Sequence, residues 1–197
     1  MIILDVETTG TEPNKHSLVS IGAIEFENPS NRFHAECRAF EGAKVMAESL
    51  LVIGLTEQEI HDSAKKTEKE IVEEFLVWFD TCQEQTIAGQ NPSFDRDFIK
   101  AAAERNHLNT HIAHRTIDLH SVCYFHALRR GIVPPIKKRH SGMNSDFIMS
   151  YVGIIGEPKP HKALNGAIYE TEAFSRLLFD KALLPEFQKY PIPWKNS

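Results

Sequence analysis

The order of predicted strands and helices places this chain among the α/β proteins, as a sandwich in which helices flank a mixed β-sheet. Three predicted strands come first, the second and third joined as a hairpin, and strands and helices then alternate. A length of 197 residues is enough for one domain with a substantial core. We therefore expect a single domain over residues 1–182 and a Pro-rich C-terminal tail over residues 183–197.

The first half of the chain supplies the hairpin and one strongly amphipathic helix. Residues 2–9 begin with three apolar residues and continue with polar ones, which predicts a strand whose end faces solvent. Residues 17–26 and 32–40 flank the turn-like "ENPSN" and predict the hairpin. Residues 67–80 place their apolar side chains on one helical face, which predicts a surface helix packed on the sheet.

The second half predicts two short strands, at residues 86–91 and 115–119. Helices are expected at 95–105, from 119 to about 129, from a cap at Asn144 or Ser145 to about 153, and at 162–182. Residues 132–143 are expected to form a loop. Gly166 interrupts the apolar stripe of the last helix, where glycine costs about 1 kcal/mol relative to alanine.

Composition limits the classes of function. The net charge is −5, from 27 acidic and 22 basic residues, so contact with nucleic acid must be local or bridged by cations. No apolar run approaches the roughly 18 residues that a membrane span needs, and the N-terminus does not resemble a signal peptide. The three cysteines are widely separated, which predicts free thiols in a reducing compartment and a cytoplasmic location.

Asp5 and Glu7 are the first candidates for chemistry. They are two residues apart on a predicted strand, so both side chains point to the same face. Neighbouring carboxylates repel each other, and one of them holds a proton unless a cation neutralises the pair. All-oxygen clusters of this kind suit Mg²⁺ or Mn²⁺. A solvated acidic pair at a strand end is the alternative.

Asp95 and His161 extend this cluster. Asp95 follows a predicted strand at the start of a helix, where the helix dipole alone also favours an acid. His161 stands at the start of the last helix. A histidine there is a candidate general base, or simply a hydrogen-bonded surface residue.

Three segments in this order, "LDVETTG", "NPSFDRDF" and "HKALNGA", resemble the motifs of the DEDDh class of 3′–5′ exonucleases in the ribonuclease H-like superfamily. The segment "GLTEQEI" is also similar to one found in that class. The resemblance extends over most of the chain and is greatest to domains like the proofreading subunit of bacterial DNA polymerase III. It implies the three-layer sandwich of that superfamily.

The resemblance also implies roles for individual residues. Asp5 would bridge two Mg²⁺ or Mn²⁺ ions, Glu7 would bind one of them and Asp95 the other. His161 would deprotonate the attacking water. The residues expected to lie beside the terminal nucleotide or to support the second motif are Thr8, Thr9, Leu55 and Asn91.

Gly166 departs from the family pattern, which has a metal-binding aspartate five residues after the histidine. Glu170 lies one turn further along the helix, about 40° round, and would have to reach back some 6 Å to replace it. The loss of one preorganised charged group costs on the order of 10² to 10³ in rate. We therefore expect either a weakened 3′–5′ exonuclease or a non-catalytic descendant that binds nucleic-acid ends or a protein partner.

The expected partners follow from these two functions. They are the 3′ ends of single-stranded DNA or RNA, and a polymerase or another protein, with no membrane. The basic run at residues 137–140 is either a phosphate contact near the site or a solvated loop.

Overall fold

A five-stranded mixed sheet forms the centre of the protein in the computed structural model, which describes residues 1–195. In chain order the strands are β1 (Ile2–Thr8), β2 (Leu18–Glu25), β3 (Arg32–Glu36), β4 (Ile87–Gly89) and β5 (Thr116–Asp118). They lie side by side in the order β3-β2-β1-β4-β5. β1 is antiparallel to β2 and parallel to β4. The expected α/β class with a mixed sheet is confirmed, and β1 is its central strand.

Helices cover both faces of this sheet. In chain order they are α1 (Ala47–Ile53), α2 (Glu57–Ile60), α3 (Glu68–Phe79), α4 (Pro92–Arg105), α5 (Leu119–Arg129), α6 (Ser145–Tyr151) and α7 (Ala163–Phe179). α3 begins at a capping box, in which the Thr67 side chain accepts from the Glu70 backbone and the Glu70 side chain accepts from the Thr67 backbone. A 3₁₀ turn, Pro185–Phe187, follows α7.

Several element boundaries differ from the sequence expectations. α1 and α2 were not among the predicted helices, because each is too short for helical periodicity to be recognised. α4 begins at Pro92 and not at residue 95, since proline is favoured in the first helical turn. The predicted loop at 132–143 contains a small hairpin, β6 (Ile136–Lys137) with β7 (His140–Ser141).

Two apolar cores lie on opposite faces of the sheet. One contains Ile2 and Leu4 of β1 and packs against α3 and α4 through Phe75 and Phe98. The other contains Ile3 of β1 and packs against α5, α6 and α7. Alternation of neighbouring β1 side chains between the two cores gives the three-layer arrangement. Asp5 and Glu7 follow Ile3 at two-residue intervals, and therefore belong to the face that α7 covers.

The C-terminal segment that the sequence separates as a tail is packed against the α7 side of the sheet. Leu184 and Phe187 are buried in that core. The fully buried Arg176 side chain donates to the backbone oxygens of Phe187 and Tyr190 at 2.9 and 3.1 Å. The core therefore continues beyond residue 182 and includes part of the segment that follows. All three cysteines are buried free thiols, as expected. None of the helices within residues 1–195 has both the length and the apolar character of a membrane span.

Candidate active site

β1 extends beyond β4, and this difference in length positions Asp95. The two strands pair only at Ile2 with Ile87 and at Ile3 with Ala88. The backbone N–H of Val6 therefore has no partner in β4, and it donates instead to Asp95 Oδ1 at 2.9 Å. Asp95 is 4% exposed and lies in the first turn of α4. Its carboxylate is thus fixed to the backbone between Asp5 and Glu7.

Asp5 lies directly beneath Gly166. A Cβ atom placed on Gly166 would be 2.1 Å from Asp5 Oδ2 and 2.7 Å from Asp5 Cγ. The glycine therefore leaves the space that the Asp5 carboxylate fills. The structure thus places Asp5 next to Gly166, the helix position at which the third motif of the family has an aspartate. That position carries no carboxylate in this chain.

His161 lies in the segment before α7 and is held on two sides. Its backbone N–H donates to the Val52 carbonyl at the end of α1, at 3.0 Å. Its Nδ1 lies 3.1 Å from Glu157 Oε2. The other oxygen of Glu157 accepts from the Lys162 N–H at 3.3 Å. With Nδ1 paired to a carboxylate, Nε2 is the nitrogen available to receive a proton.

Glu7 stands beside Glu157 at the open end of the site. The pairing of β1 with β2 shifts between Glu7 and Thr8, a β-bulge of the kind that redirects side chains at functional sites. Burial and the charge of Glu157 raise the pKa of Glu7 to about 8. Glu7 Oε1 is buried and has no hydrogen-bond partner among residues 1–195.

The pKa values of the other two acids, Asp5 and Asp95, are raised as well. Burial raises the pKa of Asp5 well above its usual range, and the neighbouring charges of Asp95, Glu170 and Glu7 raise it further. Burial also raises the pKa of Asp95 to about 7, although its hydrogen bond from Val6 opposes the shift. A cluster of this kind holds its negative charge only when a cation or protons neutralise it.

The chemistry of these groups fits a divalent cation. The donors are all carboxylate oxygens, which Mg²⁺ and Mn²⁺ prefer, and two buried oxygens, on Glu7 and Glu170, lack hydrogen-bond partners among the described residues. As the side chains stand, no three His, Cys, Asp or Glu residues within 1–195 are arranged to hold an ion. Cation binding would therefore require side-chain rotation, as expected for carboxylates that repel each other.

A cavity of about 300 Å³ adjoins Glu7. Its walls are formed by the end of β1, by α1 and by the first turn of α4, and include Thr8, Val52 and Phe94. Its volume is of the size of one small ligand, and its walls are largely apolar. Glu7 and Thr8 both line it, so the cavity opens directly beside the candidate site.

The predicted substrate contacts have different surroundings. Thr8 lines the cavity, and its hydroxyl donates to the Gly10 carbonyl at 2.7 Å. Thr9 is fully buried, donating to the Lys44 carbonyl and accepting from the Ser17 N–H, so it presents no atom to a nucleotide. Leu55 packs in a small cluster around Ile53 and does not line the cavity.

Asn91 precedes α4 in the left-handed region, with φ at +56°, and its N–H donates to Asp118 Oδ1. Asp118 caps α5 and joins the ends of β4 and β5. The basic run 137–140 forms the exposed β6–β7 hairpin, which contacts this region through a 2.7 Å hydrogen bond between His120 Nε2 and Ser141 Oγ. The hairpin therefore carries its positive charge near the carboxyl edge of the sheet.

Glu157 was not predicted from the sequence, and Glu170 was considered only as a distant replacement. Glu157 precedes His161 by four residues, a spacing that carries no signal outside a helix. Glu170 is 7% exposed in the middle of α7, and an acid on the buried face of an amphipathic helix is a signal that sequence inspection can find.

Comparison with solved structures agrees with this architecture. Exonuclease I of E. coli in complex with a dA16 oligonucleotide superimposes with a TM-score of 0.71 at 21% identity, over 91% of this chain and 40% of that one. The zinc-bound E. coli ExoI–ssDNA complex gives a TM-score of 0.69 at 21% identity, over 89% and 39%. These likenesses establish the fold.

Sequence comparison identifies the family. Ribonuclease T of Haemophilus influenzae (strain KW20 / Rd) is 30% identical over 120 residues, which cover 53% of this chain and 51% of the relative. Ribonuclease T of Histophilus somni (strain 129Pt) is 30% identical over 125 residues, 57% of each chain. The chain thus spans about half the length of these curated relatives. The model of the Exonuclease family (RNase T) matches residues 2–174. Since that match covers most of the chain, this protein belongs to the Exonuclease family.

Proposed function

We propose that this protein is a 3′–5′ exonuclease of the DEDDh class that releases nucleotides from single-stranded DNA or RNA, with activity weakened by Gly166. The observation that carries the proposal is the group formed by the half-buried Asp5 and Glu7 and the buried Asp95, with the Glu157–His161 pair beside it. The solved neighbours include complexes of Exonuclease I with single-stranded DNA, and the curated relatives are named ribonucleases.

His161 is proposed as the general base. The Glu157 carboxylate fixes its Nδ1 and favours the protonated ring that results when Nε2 takes a proton from water. Glu157 is therefore a positioning residue, since it acts through the imidazole. Its second hydrogen bond, to the Lys162 N–H, ties it to the start of α7 and limits movement of the pair.

Asp5, Glu7 and Asp95 are proposed to hold divalent cations, two in the arrangement that the DEDDh resemblance implies. Exonucleases of this family generally use divalent metal ions. When bound, such ions would activate the attacking water and stabilise the leaving 3′-oxygen. Without them, the three carboxylates would repel the substrate phosphate as well as each other.

Substrate binding is assigned to two regions. The cavity beside Thr8 and Val52 is proposed to receive the 3′-terminal nucleotide, whose scissile phosphate would then lie over Glu7. The β6–β7 hairpin, with its basic run at 137–140, is proposed to contact upstream phosphates. Because the whole chain has a net charge of −5, attraction to the substrate depends on such local contacts.

The test is a time course with single-stranded DNA and RNA oligonucleotides in Mn²⁺. Wild-type protein should shorten the DNA, the RNA or both from the 3′ end, and His161→Asn should lower that rate at least about tenfold. His114→Asn, which changes an exposed histidine, is the matched control and should retain the wild-type rate. Equal rates for all three proteins would exclude His161 as the base.

A second function, binding of nucleic-acid ends without hydrolysis, is favoured by one observation. Asp5 Oδ2 occupies the space beside Gly166, and no third acid completes an ion site with the present side-chain positions of residues 1–195. Binding of a 3′-end oligonucleotide with no product in Mn²⁺ over many hours would support this function against the first.

A further inference from the structure

α7 crosses the sheet at three closely packed positions. Ala163 lies over Gly22 of β2, where an added Cβ would be 2.2 Å from the Ala163 carbonyl carbon. Gly166 then lies over Asp5 of β1. One turn later, Glu170 reaches Gly89 at the end of β4, where an added Cβ would be 3.0 Å from Glu170 Oε2. The same helix face therefore meets β2, β1 and β4 in turn.

Glu170 is buried without full hydrogen bonding. Glu170 is only 7% exposed, and its Oε2 atom has no hydrogen-bond partner among residues 1–195. The Gln90 backbone N–H supplies a hydrogen bond to the carboxyl group. A buried carboxylate oxygen without a partner is costly, so this position favours a cation, a proton or a bound water.

The charges that act on Glu170 come from the candidate site itself. Asp95 is the strongest neighbouring charge for both Glu170 and Asp5, and Glu170 is the second strongest for Asp5. The geometry agrees, because a Cβ added at Gly89 would lie 2.8 Å from the Leu4 carbonyl oxygen of β1 as well as 3.0 Å from Glu170 Oε2. The three acids therefore form one mutually repelling group at the neighbouring ends of β1 and β4. Gly166 adds no carboxylate to this group, while Glu170, from the same helix face, adds one.

We propose that Glu170 supplies the acid that Gly166 lacks, and that Asp5, Asp95 and Glu170 together bind a divalent cation. This inference rests on the proposed exonuclease function. In α7 the fourth carboxylate of the site is then that of Glu170, one turn after Gly166. The glutamate side chain is longer than that of aspartate and brings the carboxylate towards β4. The absence of a side chain on Gly89 leaves room for this approach.

The experiment is calorimetric titration of Mn²⁺ into chelator-treated protein, with thermal unfolding in parallel. Glu170→Gln keeps the shape of the side chain and removes its charge. It should weaken Mn²⁺ binding at least about tenfold and reduce the Mn²⁺-induced rise in melting temperature. Without metal it should be as stable as wild type or more so, because repulsion is removed. Glu104→Gln, which changes an exposed acid of α4, is the matched control.

Two further variants distinguish a failure of this inference from a failure of the proposed function. Asp5→Asn should abolish the Mn²⁺ response, and adding Gly166→Asp to Glu170→Gln should restore part of it. A wild-type response that Asp5→Asn removes and Glu170→Gln leaves unchanged overturns the inference but not the proposed function. No Mn²⁺ binding to wild type overturns both. If Glu170→Gln does not fold, Glu170→Asp gives the same test, since it withdraws the carboxylate by one carbon and should weaken binding about threefold or more.

Discussion

Asp5 Oδ2 lies only 2.1 Å from the position that a Cβ atom would take at residue 166. The glycine in α7 is therefore in contact with the central acid of the candidate site. Its cost in helix propensity is offset by the room it leaves for that carboxylate. A side chain at 166 therefore requires Asp5 to rotate in the metal-free protein.

Gly166→Ala tests this contact. Helix propensity alone predicts stabilisation by about 1 kcal/mol, whereas overpacking against Asp5 costs about 1–3 kcal/mol. We expect the second effect to dominate, so that the metal-free melting temperature falls by a few degrees. Asn165→Ala, one residue earlier, gains propensity without approaching Asp5 and should not be destabilised in this way. A clear rise for Gly166→Ala would show that Asp5 moves aside without cost.

Glu157 is predicted to act by orienting His161. Glu157→Ala should lower kcat on the order of 10- to 100-fold with little change in KM, because the base is misplaced and substrate binding is not. Glu157→Gln retains an oxygen that accepts from the imidazole and should recover part of the rate. Steady-state kinetics with a single-stranded oligonucleotide measure both. If the glutamine variant is as slow as the alanine variant and KM rises equally in both, the orienting role is wrong.

The raised pKa of Glu7 predicts that the stability of the metal-free protein depends on pH. Its pKa is about 8 in the folded chain, against an ordinary value of 4.5. Between these values the folded state binds more protons than the unfolded state, so stability falls as pH rises through this window. A single group changes the free energy of unfolding by at most about 1.4 kcal/mol per pH unit, or about 3–5 °C.

The measurement is the melting temperature in chelator from pH 5 to pH 8, for wild type and Glu7→Gln. The wild-type value should fall relative to that of the variant as pH rises. Excess Mn²⁺ should remove most of the difference. Parallel curves in chelator would contradict the assigned burial and repulsion of Glu7.

Arg176 is predicted to hold the C-terminal segment on the core. It is fully buried, donates to Glu172 Oε1 at 2.6 Å, and donates to four backbone oxygens, those of Val152, Phe187, Tyr190 and Pro191. Arg176→Met leaves Glu172 buried without its cation and should cost about 3–5 kcal/mol. Chemical denaturation measures this, with the exposed Lys181→Met as the control. A loss below about 1 kcal/mol would show that the segment does not depend on this pair.

The sequence was sufficient for the three strands of the first half, for their hairpin and for the amphipathic α3, because period-two and helical patterns are strong there. Three ordered motifs were also sufficient to predict Asp5, Glu7, Asp95 and His161 as site residues, and the structure places Asp95 against the β1 backbone between Asp5 and Glu7. The positions of Thr9 and Leu55 were not accessible in this way. The burial of Thr9 and the partial burial of Leu55 depend on the segments before and after α1, whose packing leaves no periodic signal.

The roles of Glu157 and Glu170 also depend on tertiary packing, which the sequence pattern does not reveal. Glu157 acts on His161 through a turn whose geometry depends on the packing of residues 157–162 against α1. Glu170 matters because α7 crosses β1 and β4 at a particular angle, which only the assembled sheet defines. Spacing along α7 was sufficient for its distance from Gly166, but not for its close approach to Gly89.

The central claim, hydrolysis from the 3′ end of a single strand, is tested most directly by blocking each end in turn. Three single-stranded substrates are compared in Mn²⁺: one with a 3′-terminal phosphorothioate block, one with the same block at the 5′ end, and a closed circle. The account predicts mononucleotide release from the 5′-blocked strand, with little from the 3′-blocked strand and none from the circle. Degradation of the circle, or of the 3′-blocked strand at the same rate as the 5′-blocked one, would contradict it.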